Sequence, residues 1–140
     1  MSTFILDSAL QADTFVIGDL ALSRVLLMND ARFPWLILVP RVAGMRDLID
    51  LPGASQHMLL DEIDRAARAL RELHAPFKLN VAALGNVVAQ LHVHVIARRN
   101  DDAAWPKPVW GVGAAQPYPA AMRDAELARL RAALGVVAPG

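Results

Sequence analysis

Cysteine is absent from the 140-residue chain. That excludes disulfides and every metal site built on thiolates. An excess of charge is missing too, since 14 Lys and Arg balance 14 Asp and Glu. Without a net field the chain attracts neither nucleic acid nor an anionic membrane, so any phosphate it binds must be held by local geometry. No apolar run approaches the ~20 residues needed to span a bilayer. Met1-Ser2-Thr3-Phe4 lacks the basic and apolar regions of a signal peptide. These absences predict a cytoplasmic protein. What is present is globular material, 55% hydrophobic and 20% charged, enough for a single domain over residues 1–140.

Along the chain, Thr14 to Ile17 reads as a strand leading into a Gly18-Asp19 turn, and Ser23 to Met28 as a second strand. Asn29-Asp30-Ala31-Arg32 breaks the pattern with turn formers. The run Trp35-Leu36-Ile37-Leu38-Val39, ended by Pro40, suits a strand buried on both faces. Leu59, Ile63, Ala66, Leu70 and Leu73 then recur at steps of three and four, which predicts a long helix with Ser55 as its N-cap and Pro76 as its end. Lys78 to Leu84 reads as a strand broken by Gly85-Asn86. After Arg99 a proline- and glycine-rich stretch runs to Pro119. A last helix spans roughly Ala120 to Leu134, with Gly135 as its stop. Strands gathered around one main helix predict an α+β domain with an antiparallel sheet.

The most informative stretch is Gln90-Leu91-His92-Val93-His94-Val95-Ile96. Its strict alternation predicts a half-buried strand, with Gln90, His92 and His94 on one face and Leu91, Val93 and Val95 in the core. A His-x-His pair in a strand is incidental, a pair of metal ligands, or a catalytic pair. As catalysts, one neutral imidazole can attack phosphorus while its neighbour donates a hydrogen bond to the charge that develops.

Gln-Leu-His-Val-His-Val-Ile-Ala-Arg at 90–98 resembles the histidine-triad (HIT) motif, in which three histidines alternate with hydrophobic residues. The resemblance extends back through Asn80-Val81-Ala82 and Gly85-Asn86-Val87-Val88 to Met28-Asn29-Asp30 and Pro34 with Leu36–Pro40, about residues 20 to 100 in all. It implies a HIT-like fold, with an antiparallel sheet of about five strands, one long helix and a C-terminal helix. It also implies a nucleotide hydrolase or nucleotidyl transferase, usually a homodimer, that requires neither metal nor cofactor. His92 would be the nucleophile for the α-phosphate, and His94 would bind the phosphate and help the leaving group depart. Asn29 would contact the ribose and Asn86 the phosphates.

Two positions depart from the family pattern. Gln90 stands at the first triad position, which supports the nucleophile in relatives, and Trp35-Leu36 stands where many relatives have Gly-His. The nucleophile is kept and its support is altered. A nucleotide-binding module without turnover is therefore the alternative reading, and a metalloprotein using His92 and His94 is a third. His57 and His74 read as solvated surface residues. Arg98-Arg99 reads either as a contact to a leaving phosphate or as a solvated strand end. Trp105 and Trp110 line a base pocket, an interface or the end of the core.

Overall fold

Runs of leucine, isoleucine and valine need partners for their backbone amides as well as a core for their side chains, and a sheet supplies both. In the computed structural model, which describes residues 3–140, five such segments pair into one antiparallel sheet. Met1 and Ser2, the start of the stretch read above for a signal peptide, lie outside the described residues. The strands are β1 (Thr14–Asp19), β2 (Ser23–Met28), β3 (Trp35–Pro40), β4 (Lys78–Ala82) and β5 (Val93–Arg98), in the order β1-β2-β3-β5-β4. β5 therefore lies inside the sheet, and β4 is an edge. Among the described residues three α-helices accompany it, α1 (Ser8–Asp13), α2 (Gly53–His74) and α3 (Ala120–Leu134). Sheet, long helix and C-terminal helix stand as the sequence predicts. Among the described residues no helix is long and apolar enough to cross a membrane.

The sheet separates two cores. On one face Val95 and Ala97 of β5 and Leu36 and Leu38 of β3 pack against Ala66 and Leu70 of α2 and Leu130 of α3. On the other, Ile96, Trp35, Ile37 and Val39 lie beneath Leu6 and Leu10 near the N-terminus and Ala104 and Val109 of the long loop. All six residues of β3 are buried, in keeping with the two-sided burial read from its sequence. His94 and Arg98 share the second face with Ile96, because side chains two apart point the same way.

The differences from the sequence reading have local causes. The paired part of the histidine strand begins at Val93, so Gln90, Leu91 and His92 form an extended lead-in outside the ladder. The pairing with β3 stops at Leu38–Val93 and that with β4 at Ala82–His94, and Leu91 instead donates its N–H to the Met45 carbonyl at 3.0 Å. Gly18-Asp19 belongs to β1 and is not its turn. Gly18 follows a register shift, and a Cβ there would lie 2.7 Å from the Val137 carbonyl, so its lack of a side chain admits the C-terminal segment. α2 starts at Gly53 with Pro52 at the N-cap, which puts Ser55 inside the first turn. It ends at His74, with Ala75 left-handed ahead of Pro76. β4 stops at Ala82, short of Leu84. The six-residue α1, capped by the Asp7 carboxylate on the Ala9 N–H, was not expected, nor was a single 3₁₀ turn at Leu48–Asp50.

Candidate active site

His92 and His94 lie side by side at the start of β5, their ring centres 4.9 Å apart, with 6% and 4% of their surface exposed. His92 Nδ1 is 2.6 Å from the Gln90 backbone carbonyl. A carbonyl oxygen only accepts, so Nδ1 carries a proton, and in the neutral ring Nε2 keeps a free lone pair. His94 is held in the opposite sense. The Trp35 indole N–H donates to His94 Nδ1 at 2.9 Å, which leaves the proton of a neutral His94 on Nε2. Burial, and then the proximity of His92, push His94 down from 6.5 to about 4, so at neutral pH it is an uncharged donor. The pair thus offers one nucleophilic nitrogen and one N–H two residues apart in the chain, their rings 4.9 Å apart between centres.

Trp110 closes the wall around His94. Its ring meets His94 at 5.0 Å and Trp35 at 5.8 Å between centres, both edge-on. His92 also lines a cavity of about 230 Å³ shared with Gln90, Arg46, Asp47, Leu84 and Gly85. The first triad position supports His92 through its backbone, while its side chain does something else. Gln90 Oε1 accepts the Asp7 N–H and Nε2 donates to the Ile5 carbonyl, each at 2.9 Å, fastening the N-terminal segment to the motif.

The two asparagines sit differently. Asn86 is exposed in the turn after β4, beside Gly85 of the cavity wall. Asn29 is half-buried, and its Oδ1 accepts the Tyr118 N–H at 2.9 Å while its own N–H reaches the Asp13 carbonyl. It lies three residues past Leu26, the β2 residue level with His94, and two strands away from β5.

Arg98 departs from both of its readings, being neither solvated nor free for phosphate. It is 1% exposed and donates to both Asp102 carboxylate oxygens, at 2.7 and 3.0 Å, to Asn80 Oδ1 and to the Lys107 carbonyl. Burial would raise the Asp102 carboxyl, but Arg98 and the N–H groups of Ala104 and Arg99 outweigh it and hold the group at about 2. Arg99 remains exposed and pairs with Asp101. Trp105 belongs to this end of the strand, packed edge-on against Phe77 at 5.3 Å and beneath Arg98, whereas Trp110 belongs to the histidines. His57 is exposed as expected. His74 is only partly so, because its Nε2 lies 2.7 Å from Glu126 Oε1 and ties α2 to α3. Among the described residues no group of three or more His, Asp or Glu side chains is placed to hold a metal ion.

Sequence reasoning missed Trp35 as a partner of His94 and Arg46 as part of the cavity. For Trp35 a signal existed in its position on a two-sided buried strand, where an indole N–H must find an acceptor. For Arg46 there was none.

An antiparallel sheet of this order, presenting adjacent imidazoles at the start of an inner strand, defines a protein of the histidine-triad class. The HIT domain family model matches residues 9–101, and the chain belongs to that family. A histidine triad protein from Bradyrhizobium japonicum shares 49% identity with a TM-score of 0.93, over 95% of this chain and 99% of its own. One from Sinorhizobium meliloti 1021 shares 46% identity with a TM-score of 0.91, over 93% and 96%. One from Marinobacter aquaeolei VT8 shares 45% identity with a TM-score of 0.93, over 96% and 98%. Among curated proteins none matches the chain.

Proposed function

We propose that the protein is a nucleotide hydrolase or nucleotidyl transferase acting at the α-phosphate of a nucleotide conjugate, a dinucleoside polyphosphate or a nucleoside phosphoramidate. HIT-family membership supports a nucleotide-binding or hydrolase role. The observation that carries the chemistry is the hydrogen bond from His92 Nδ1 to the Gln90 carbonyl, which in the neutral ring places the lone pair on Nε2, with the His94 ring 4.9 Å away between centres. Nε2 attacks phosphorus, a P–N bond forms, the bond to the leaving group breaks, and its electron pair goes with the leaving group. His94 Nε2–H donates to a phosphoryl oxygen as charge builds there. Water then attacks the His92–nucleotide, the electron pair returns to Nε2, and one water proton is released with the nucleoside monophosphate. A transferase differs only in the acceptor that replaces water. Asn86, beside the cavity, is our candidate for a phosphate contact, and Asn29 for a ribose contact.

Intact-protein mass spectrometry after brief mixing with adenylated and guanylated compounds tests this reading. A nucleotide-sized adduct on the wild type and none on His92→Ala is the expected result. Absence of both adduct and released nucleotide would overturn it in favour of a nucleotide-binding module. That second reading is favoured by one observation, the engagement of the Gln90 side chain with Ile5 and Asp7 in place of the nucleophile.

We further propose a homodimer. β4 is an edge strand carrying exposed Val81, and exposed Phe77, Leu84 and Val87 lie close to it in the chain. Unpaired edges with apolar side chains invite a second strand. Light scattering should give twice the 15.2 kDa chain mass, and a monomer mass would contradict the proposal.

A further inference from the structure

Trp35 stands where it does the chemistry of the pair an unusual service. Its indole is a donor only, it is 5% exposed, and it reaches across from β3 to His94 Nδ1. We propose that Trp35 is a positioning residue that locks His94 as the Nε2–H tautomer, making it a fixed hydrogen-bond donor that cannot carry a proton to the leaving group. This rests on the reading of His92 and His94 as the reacting pair.

A neutral imidazole that gave up its Nε2 proton would have to gain one on Nδ1 or become an anion. An imidazolium would have to point its Nδ1–H at the Trp35 N–H. Both routes end at an indole that can neither accept nor pass on a proton. The surroundings offer no relief. His92, from the same segment, faces His94 and disfavours a charge on it. Trp110 from the long loop and Ile37, its neighbour on β3, are uncharged. Arg98, further along the same face, is committed to Asp102 and Asn80.

The consequence is a choice of substrate. A phosphate or polyphosphate leaves as an anion that is stable at neutral pH, so the P–O bond breaks with its electron pair and no proton is needed. An alkylamine leaves only when its nitrogen is protonated, and His94 has no proton to spare. The site therefore favours anhydrides over phosphoramidates. General acid assistance is worth roughly 10²–10⁴-fold, so with the same nucleoside the anhydride should turn over about 100-fold faster or more.

The experiment has two arms. Nitrogen NMR on the whole protein reads the tautomer with no substrate present. Wild-type His94 should keep a bare Nδ1 and a protonated Nε2 from pH 5 to 9. In Trp35→Phe, which keeps an aromatic ring at the site, the Nδ1 signal should become tautomer-averaged and His94 should titrate at higher pH. A protonated Nδ1 in the wild type, or an unchanged Nδ1 signal and titration in the variant, would overturn the proposal. The wild-type spectrum decides alone if the variant does not fold. The second arm compares turnover of a dinucleoside polyphosphate with that of the matching phosphoramidate, and a ratio near one would refute the substrate preference. A locked tautomer with no turnover of either compound would instead refute the enzymatic reading and leave the positioning role standing.

Discussion

The two ends of one face of β5 bury polar groups to opposite purposes. At the start, His92 and His94 each make one hydrogen bond and keep the other ring nitrogen uncommitted. Four residues on, Arg98 spends its guanidinium on Asp102, Asn80 and Lys107, with Phe33 and Trp105 within cation–π distance. Burial is as complete at both ends. The difference lies in how much of each group is left over. A polar side chain whose partners are all internal holds the fold together. One with a reactive atom unspent has something to offer a ligand, and the stretch from His92 to Arg98 contains both kinds.

That contrast can be broken from either end. Removing the nucleophile has the largest expected effect: His92→Ala should lower turnover of a dinucleoside polyphosphate by about 10⁴-fold or more while the unfolding midpoint moves little. A steady-state assay on the purified variant checks it, and an unchanged rate would sink the mechanism. Arg98→Met should do the reverse. It strands the buried Asp102 carboxylate and should cost about 3–5 kcal/mol in denaturant unfolding, and adding Asp102→Leu should recover part of that loss.

Acid separates the two ends by pH window. His94 has a folded value of about 4, below its unfolded 6.5, so between those limits the unfolded chain binds more protons and stability falls as pH falls. The loss should total about 3 kcal/mol by pH 4, and His94→Gln should flatten it. Asp102 is depressed from 3.8 to about 2. Its contribution is whole above about pH 4 and is lost as pH falls through 2, a smaller effect of about 2 kcal/mol. Chemical denaturation at a series of pH values reads both. A curve that stays flat from pH 6.5 to 4 would contradict the buried neutral state of His94.

The sequence made the sheet and long helices legible because their side chains repeat. Leu59 to Leu73 keeps one helical stripe, and Trp35 to Val39 has no polar residue to expose. It also made the pair of imidazoles legible, since His92 and His94 carry their own spacing. What stayed hidden depends on partners far along the chain. Periodicity extended the strand back to Gln90, but the ladder with β3 stops at Leu38–Val93, and Leu91 gives its N–H to the distant Met45 carbonyl instead. The bond from Trp35 to His94 follows from a register that pairs Trp35 with Ile96 and Ile37 with His94, and no local pattern encodes it. Arg98 looked solvated at its strand end because its counter-ion, Asp102, arrives only through the turn that follows. Helix α1 has six residues, too few to show a period.

Gln90 carries one more implication. Its amide accepts a hydrogen bond from the Asp7 N–H and donates one to the Ile5 carbonyl, the same exchange that one residue of a parallel strand makes with the two neighbours of its partner. The side chain is acting as a borrowed peptide group, and the residue it flanks, Leu6, is seated in the core beneath the site. An imidazole at position 90 has one donor and one acceptor on opposite sides of a rigid ring and cannot copy that exchange. Completing the row of three histidines in this chain would therefore unfasten the segment that leads into α1, so a change at position 90 is also a change in how Ile5 to Asp7 is held.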